Sequence, residues 1–133
     1  MLSIFLLTVA ACSGSGDVSV SGTVTQKSKP VADAIVTFIP AGETKGLGGH
    51  AKTGPDGKYT LRSARGDAGI FVGEYKVTIS RFVRPDGTPG DPNVPPIESD
   101  AREVLPSKYS SRDATTLKAN VEKGSQSYDF NLD

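Results

Sequence analysis

The chain predicts an all-β protein built as a single seven-stranded β-sandwich. Three observations carry this expectation. Apolar and polar residues alternate along several short runs, the period of a half-buried strand. Glycine occurs 15 times and proline 9 times in 133 residues, so turns are frequent. No run has the three-and-four spacing of apolar residues that makes an amphipathic helix.

The first strand follows Asp17. Val18, Val20 and Val24 fall on one face, with Ser19, Ser21, Thr23 and Thr25 on the other. Gly22 takes an inward slot, where a strand glycine marks a bulge or a close backbone approach. QKSKP turns the chain. ADAIVTFIP is rich in β-branched and aromatic residues and apolar on both faces, which predicts a central strand. AGETKGLGG is a glycine-rich loop. HAKT and KYTLRS read as short strands joined by Gly54-Pro55-Asp56-Gly57, whose proline and final glycine suit a type I turn.

GEYKVTISRF alternates again, with Tyr75, Val77 and Ile79 inward. TLKANVE puts Leu117, Ala119 and Val121 on one face, and SYDFNL puts Tyr128, Phe130 and Leu132 inward. Lys123-Gly124-Ser125 turns between them. The predicted core is Val20, Val36, Phe38, Tyr59, Leu61, Tyr75, Val77, Ile79, Val121 and Phe130.

Residues 83–116 show no strand pattern and hold Pro85, Pro89, Pro92, Pro95, Pro96 and Pro106. Loops beyond about 12–15 residues without structure of their own are usually functional or disordered. The middle, PDGTPGDPNVPPIESD, has the composition of a mobile segment. Leu105 and Tyr109 are placed to anchor its end, and Pro106 to open a single helical turn. Two readings of the segment stand: a contact loop held by a rigid scaffold, and a passive crossover that shields a sheet edge.

Residues 1–11, MLSIFLLTVAA, carry no charge. The block is too short for a membrane span of about 20 residues and fits the apolar region of a secretion signal. Its ending, Val9-Ala10-Ala11-Cys12, resembles the lipobox of bacterial lipoproteins. That resemblance implies a signal peptide over 1–11, cut before Cys12, whose thiol carries the lipid. Acyl chains then hold the protein on the membrane at about 0.8 kcal/mol per buried CH₂. Residues 12–17 are the lipidated Cys and a flexible Ser-Gly tether, which keeps the domain at 18–133 within roughly 10–15 Å of the lipid. Ser13 stands where an Asp often retains such proteins on the inner membrane, so the expected location is extracytoplasmic, on the outer membrane where one exists.

Lys and Arg together number 15, as do Asp and Glu, so the net charge is zero. This argues against a nucleic-acid partner, which requires a basic face. It also removes any general attraction to anionic lipid.

Three segments, VSGTVTQKSKPVADAIVTFIP, AKTGPDGKYTL and VGEYKVTIS, together resemble the carboxypeptidase regulatory-like domain, a transthyretin-like (prealbumin-like) sandwich related in shape to the immunoglobulin fold. Gly22, Val24, Pro30, Val31, Ala34 and Val36 fill the first part of its pattern. Thr53, Gly57, Tyr59 and Leu61 fill the second, and Gly73, Tyr75 and Val77 the third. Asp33 stands for a turn glycine, a position where Asp tolerates a left-handed backbone, and Gly54 for an Asp. These positions serve turns and core, and the resemblance implies no chemistry.

His50 is the only histidine, without partners at metal-ligand or catalytic spacing, and is expected to be an exposed strand residue. Asp56, Asp67, Asp86 and Asp91 lie in loops without EF-hand spacing. No serine sits in a Gly-x-Ser-x-Gly elbow. The hydroxyisourate hydrolase branch of the transthyretin family uses several histidines and a C-terminal Tyr-Arg-Gly-Ser, which this chain lacks. The expectation is a non-catalytic, lipid-anchored envelope lipoprotein without metal or cofactor. Its sandwich would be a structural module or bind an envelope protein or glycan. The alternative is a transthyretin-like small-ligand carrier or hydrolase, which a pocket around His50, Arg62 or Arg65 would favour.

Overall fold

The computed structural model describes residues 18–66, 69–91, 93–95, 97–124 and 126–133. Cys12, its tether and the expected signal peptide lie outside the described residues.

Strand β1 (Val20–Gln26) keeps the alternation, with Val20 and Val24 buried. Lys27 and Ser28, both at positive φ (50° and 67°), turn it back into β2 (Lys29–Pro30). Positive φ at both central residues gives the type I′ hairpin, whose twist matches the strands. Asp33, at φ 57°, bends the chain into β3 (Ile35–Ala41), and β4 (Gly49–Lys52) returns antiparallel to it. The expected turn closes with the Gly57 N–H donating to the Gly54 carbonyl at 2.9 Å.

KYTLRS is two strands in the structure. β5 (Lys58–Thr60) pairs with β1, while β6 (Arg62–Ser63) pairs with β4 in another sheet. Between them Leu61 is buried and donates its N–H to the Val20 carbonyl at 2.8 Å. The chain therefore changes sheets at a buried leucine, a corner that a run of uniform alternation does not announce. β7 (Gly73–Ser80) lies antiparallel along the whole of β3. The 83–116 segment, read from sequence as strand-free, holds part of a small hairpin of β8 (Phe82–Val83) and β9 (Arg102–Glu103). The helical turn α1 (Ser107–Ser110) follows Pro106, as expected, with Leu105 and Tyr109 buried. β10 (Lys118–Val121), β11 (Gln126–Ser127) and β12 (Phe130–Leu132) complete the chain.

Among the described residues the fold is all-β apart from the helical turn α1, and it has several sheets. One sheet runs in the order β10-β7-β3-β4-β6. The other is built on β1, with β5 and β2 along one side and β11 and β12 along the other. The two sheets face each other in a sandwich-like arrangement. Phe38 of β3 meets Phe130 at 6.3 Å and Tyr128 at 6.0 Å between ring centroids. All ten predicted core residues are at most 7% exposed.

SYDFNL is interrupted at Tyr128 and Asp129, yet β11 and β12 keep one register on β1. Gly22 explains the break: a Cβ there would lie 1.8 Å from the Tyr128 carbonyl oxygen. That carbonyl instead accepts from the Tyr59 hydroxyl at 2.6 Å, and Asp129 Oδ1 takes the Thr23 N–H at 2.9 Å. The glycine is thus the close approach its inward slot predicted, and a carboxylate stands in for a ladder carbonyl.

Strand direction sorts the loops into two ends. Residues 42–48, 64–66, 69–72 and 122–124 share one end with Val18, which exchanges hydrogen bonds with Ile70 at 2.8 and 3.0 Å. The β1–β2 turn, the Asp33 bend and the β8–β9 hairpin lie at the other.

Candidate functional site

Most of the proline-rich segment folds back on itself at this second end. Pro85 opens a tight turn in which the Gly87 N–H donates to the Arg84 carbonyl at 2.9 Å and the Arg84 N–H to the Thr88 carbonyl at 2.8 Å. Asp86 Oδ1 accepts from the Thr88 hydroxyl at 2.6 Å and its N–H at 3.0 Å. Those bonds, the hydroxyl's first, hold the Asp86 carboxyl below the usual carboxylate range. Asp91 does similar work, accepting the Asn93 N–H at 2.8 Å. These loop aspartates are thus occupied by their own turns.

The hairpin base is tied more firmly. Glu103 Oε1 accepts the N–H groups of Arg81 at 2.9 Å and Leu105 at 3.0 Å. Arg81 Nε donates to the Ala32 carbonyl at 2.9 Å, fixing the hairpin to the Asp33 bend. Gly90 lets the two limbs touch, since a Cβ there would meet Ala101 Cβ at 2.9 Å. By contrast the Arg84–Asp100 pair is long, 3.8 Å, and largely exposed, so it contributes little.

Between hairpin, loop and sheet lies a groove of about 460 Å³. Ile35 and Lys52 reach it from β3 and β4, on the face opposite the buried Val36 and Ala51. Phe82 and Ala101 line it from the hairpin, Pro89 and Val94 from the loop. Its charges are Arg102, Glu103, Asp91 and the Asp33–Lys52 pair, 3.5 Å apart. An apolar trough with charged groups of both signs suits a ligand that is apolar along its length and polar at its margins.

The histidine and arginines singled out from sequence fall elsewhere. His50 is exposed on β4 between Thr37 of β3 and Arg62 of β6, and Arg65 lies in the turn after β6. None of the three lines the groove. Among the described residues no group of three or more His, Cys, Asp or Glu side chains is placed to hold a metal. The groove takes Pro89, Asp91 and Val94 from the segment read from sequence as a contact loop or a crossover, whereas Ile35, Lys52 and Phe82 escaped sequence reasoning, although signals existed. Phe82 falls out of step with Tyr75, Val77 and Ile79, and Ile35 is a large apolar residue on the face of its strand opposite the buried Val36 and Phe38.

No protein-family model and no curated protein matches the chain. Among solved structures it is similar to the crystal structure of a DUF3823 family protein from Parabacteroides merdae ATCC 43184, with 15% identity and a TM-score of 0.45. The likeness covers 89% of this chain and 46% of that one, so this chain spans less than half the length of the structure it matches.

Proposed function

We propose that the chain is a non-catalytic lipoprotein of the cell envelope, anchored through Cys12, whose groove binds an envelope protein or glycan. Position carries this reading. The groove lies at the end of the fold opposite Val18, so a chain tethered just before Val18 presents it away from the lipid. β7 alone, at 8 residues, separates the ends by about 25 Å.

The same reading takes the fold as a transthyretin-like sandwich of the carboxypeptidase regulatory type. Counting β5 with β6 and β11 with β12 as single strands, and setting aside the two-residue β2, β8 and β9, leaves seven. Thr53 supports the assignment of its motif to structure: its hydroxyl donates to the Val31 carbonyl at 2.6 Å and accepts the Ala34 N–H at 2.9 Å, clamping the Asp33 bend.

The test uses the lipidated chain and solubilised envelopes. Cys12→Ser is expected to lose palmitate labelling and leave the membrane fraction. Phe82→Glu is expected to keep its circular dichroism spectrum yet lose whatever partner the parent captures. Retained labelling in the first, or equal capture by the second, refutes the corresponding half of the proposal. A second reading, a small-ligand carrier, is favoured by the groove's size, which lies within the usual range for such sites. A rise in melting temperature with a small amphipathic ligand, abolished by Phe82→Glu, would select it.

A further inference from the structure

The described residues expose six large apolar side chains, and they sort by end. Ile35, Phe82, Ile97 and Val104 lie in or beside the groove-bearing end; Leu47, 76% exposed, and Val72, 40% exposed, lie at the other. That other end is firmly built. The Thr44 hydroxyl donates to the Glu74 carbonyl and accepts the Glu74 N–H, both at 2.9 Å. Gly46, beside Leu47, lies so close to the Phe71 ring that a Cβ would come within 2.7 Å. The Ala64 N–H donates to the Gly48 carbonyl at 3.1 Å, joining the two loops again. Leu47 and Val72 are therefore held out on loops that are braced against each other.

The chain enters the fold at this same end. Val18 is bridged to Ile70, two residues before Val72, so five residues separate Cys12 from the first described contact. Six virtual bonds from Cys12 to Val18 reach at most about 20 Å. Among the described residues of this end, Lys45, Arg65 and Lys123 stand against Glu43, Glu122 and, at the start of β7, Glu74, which balance. Such an end has no electrostatic preference for anionic lipid, and its projecting groups are apolar.

We infer that this end rests on the lipid surface, with Leu47 and Val72 inserted among the headgroups and upper acyl chains. The inference rests on the reading of Cys12 as the lipid attachment. It adds a second contact, so that the domain does not swing freely on its tether but stands with its groove directed outward. Two shallow apolar contacts supplement an acyl anchor because each buried group adds to partition.

The chain contains no tryptophan, so a single introduced one reports its own surroundings. Leu47→Trp and Ile97→Trp versions of the lipidated full chain would be reconstituted into vesicles of neutral phosphatidylcholine and of mixtures with anionic phosphatidylglycerol. Expected is a blue shift and quenching by brominated acyl chains for Leu47→Trp, alike in both vesicles, and a water-exposed spectrum for Ile97→Trp. Attachment of the chain with Leu47→Trp still in water overturns this inference alone. A Leu47→Trp shift confined to anionic vesicles also overturns it, because the contact would then be electrostatic. Failure of the chain to attach overturns the anchoring reading and this inference together.

Discussion

Gly22 and Tyr59 act on one carbonyl, that of Tyr128, and each can be tested there. Gly22→Ala would set a methyl 1.8 Å from that oxygen, and both strands around it are packed on the core. The expected loss is about 3 kcal/mol or more, at the upper end for overpacking, read as a fall in the urea midpoint. Tyr59 supplies the hydroxyl that this carbonyl accepts. Burial first, then the negative charge of Asp129, pushes the Tyr59 phenol well above its ordinary value. A raised phenol stabilises the fold fully below the unfolded pKa of about 10 and loses that contribution as pH climbs beyond it. Stability should therefore fall above about pH 10, by roughly 1.4 kcal/mol per pH unit for one such group. Tyr75 and Tyr128, also raised by burial, add to the slope. Tyr59→Phe should cost about 1 kcal/mol at neutral pH and flatten the alkaline slope. Urea titrations near pH 9 and pH 11 compare the two; equal slopes would sink the assignment.

At the scale of elements, the β1–β2 turn is the least well matched to its residues. Lys27 and Ser28 occupy positions that favour Asn and Gly. A left-handed backbone costs an ordinary residue about 1–2 kcal/mol, and glycine returns part of that through chain entropy. Ser28→Gly should thus stabilise by about 0.5 kcal/mol, seen as a small rise in melting temperature; a fall would mean that the turn is not type I′ in solution. The major strands were legible because their alternation is strong: Val20, Val36, Val77 and Phe130 each fall inside as their spacing demands. Two-residue strands have no period to read, so β8 and β9 were hidden among prolines. The sheet change at Leu61 was hidden for another reason. Tyr59 and Leu61 both point inward, and alternation records inside or outside without recording which sheet a strand joins.

For the whole molecule, the groove needs parts that sequence separates widely. Ile35 and Lys52 come from one pair of strands, Phe82 and Arg102 from a hairpin whose limbs lie around the proline-rich loop. No local motif joins them, so the site becomes visible only once the sheet order is known. Its framework depends on the last strand. Removing residues 126–133 deletes the buried Phe130 and Leu132 and strips one side of β1. The truncated chain should lose its near-ultraviolet circular dichroism and become sensitive to protease; a native spectrum would show that β1 and its remaining partners suffice.

That lateral pairing of the first and last strands has a kinetic consequence. β1 is made well before its partners β11 and β12, which lie 106 residues further on. Until β11 and β12 emerge, β1 has one side without a neighbour, and a strand edge left open is a template for unwanted pairing. Contacts so distant along the chain slow the search for the native state, placing folding in the range of milliseconds to seconds. Were the chain exported as proposed above, it would have to finish its passage before it could close, with the edge of β1 open to shielding factors in the interval.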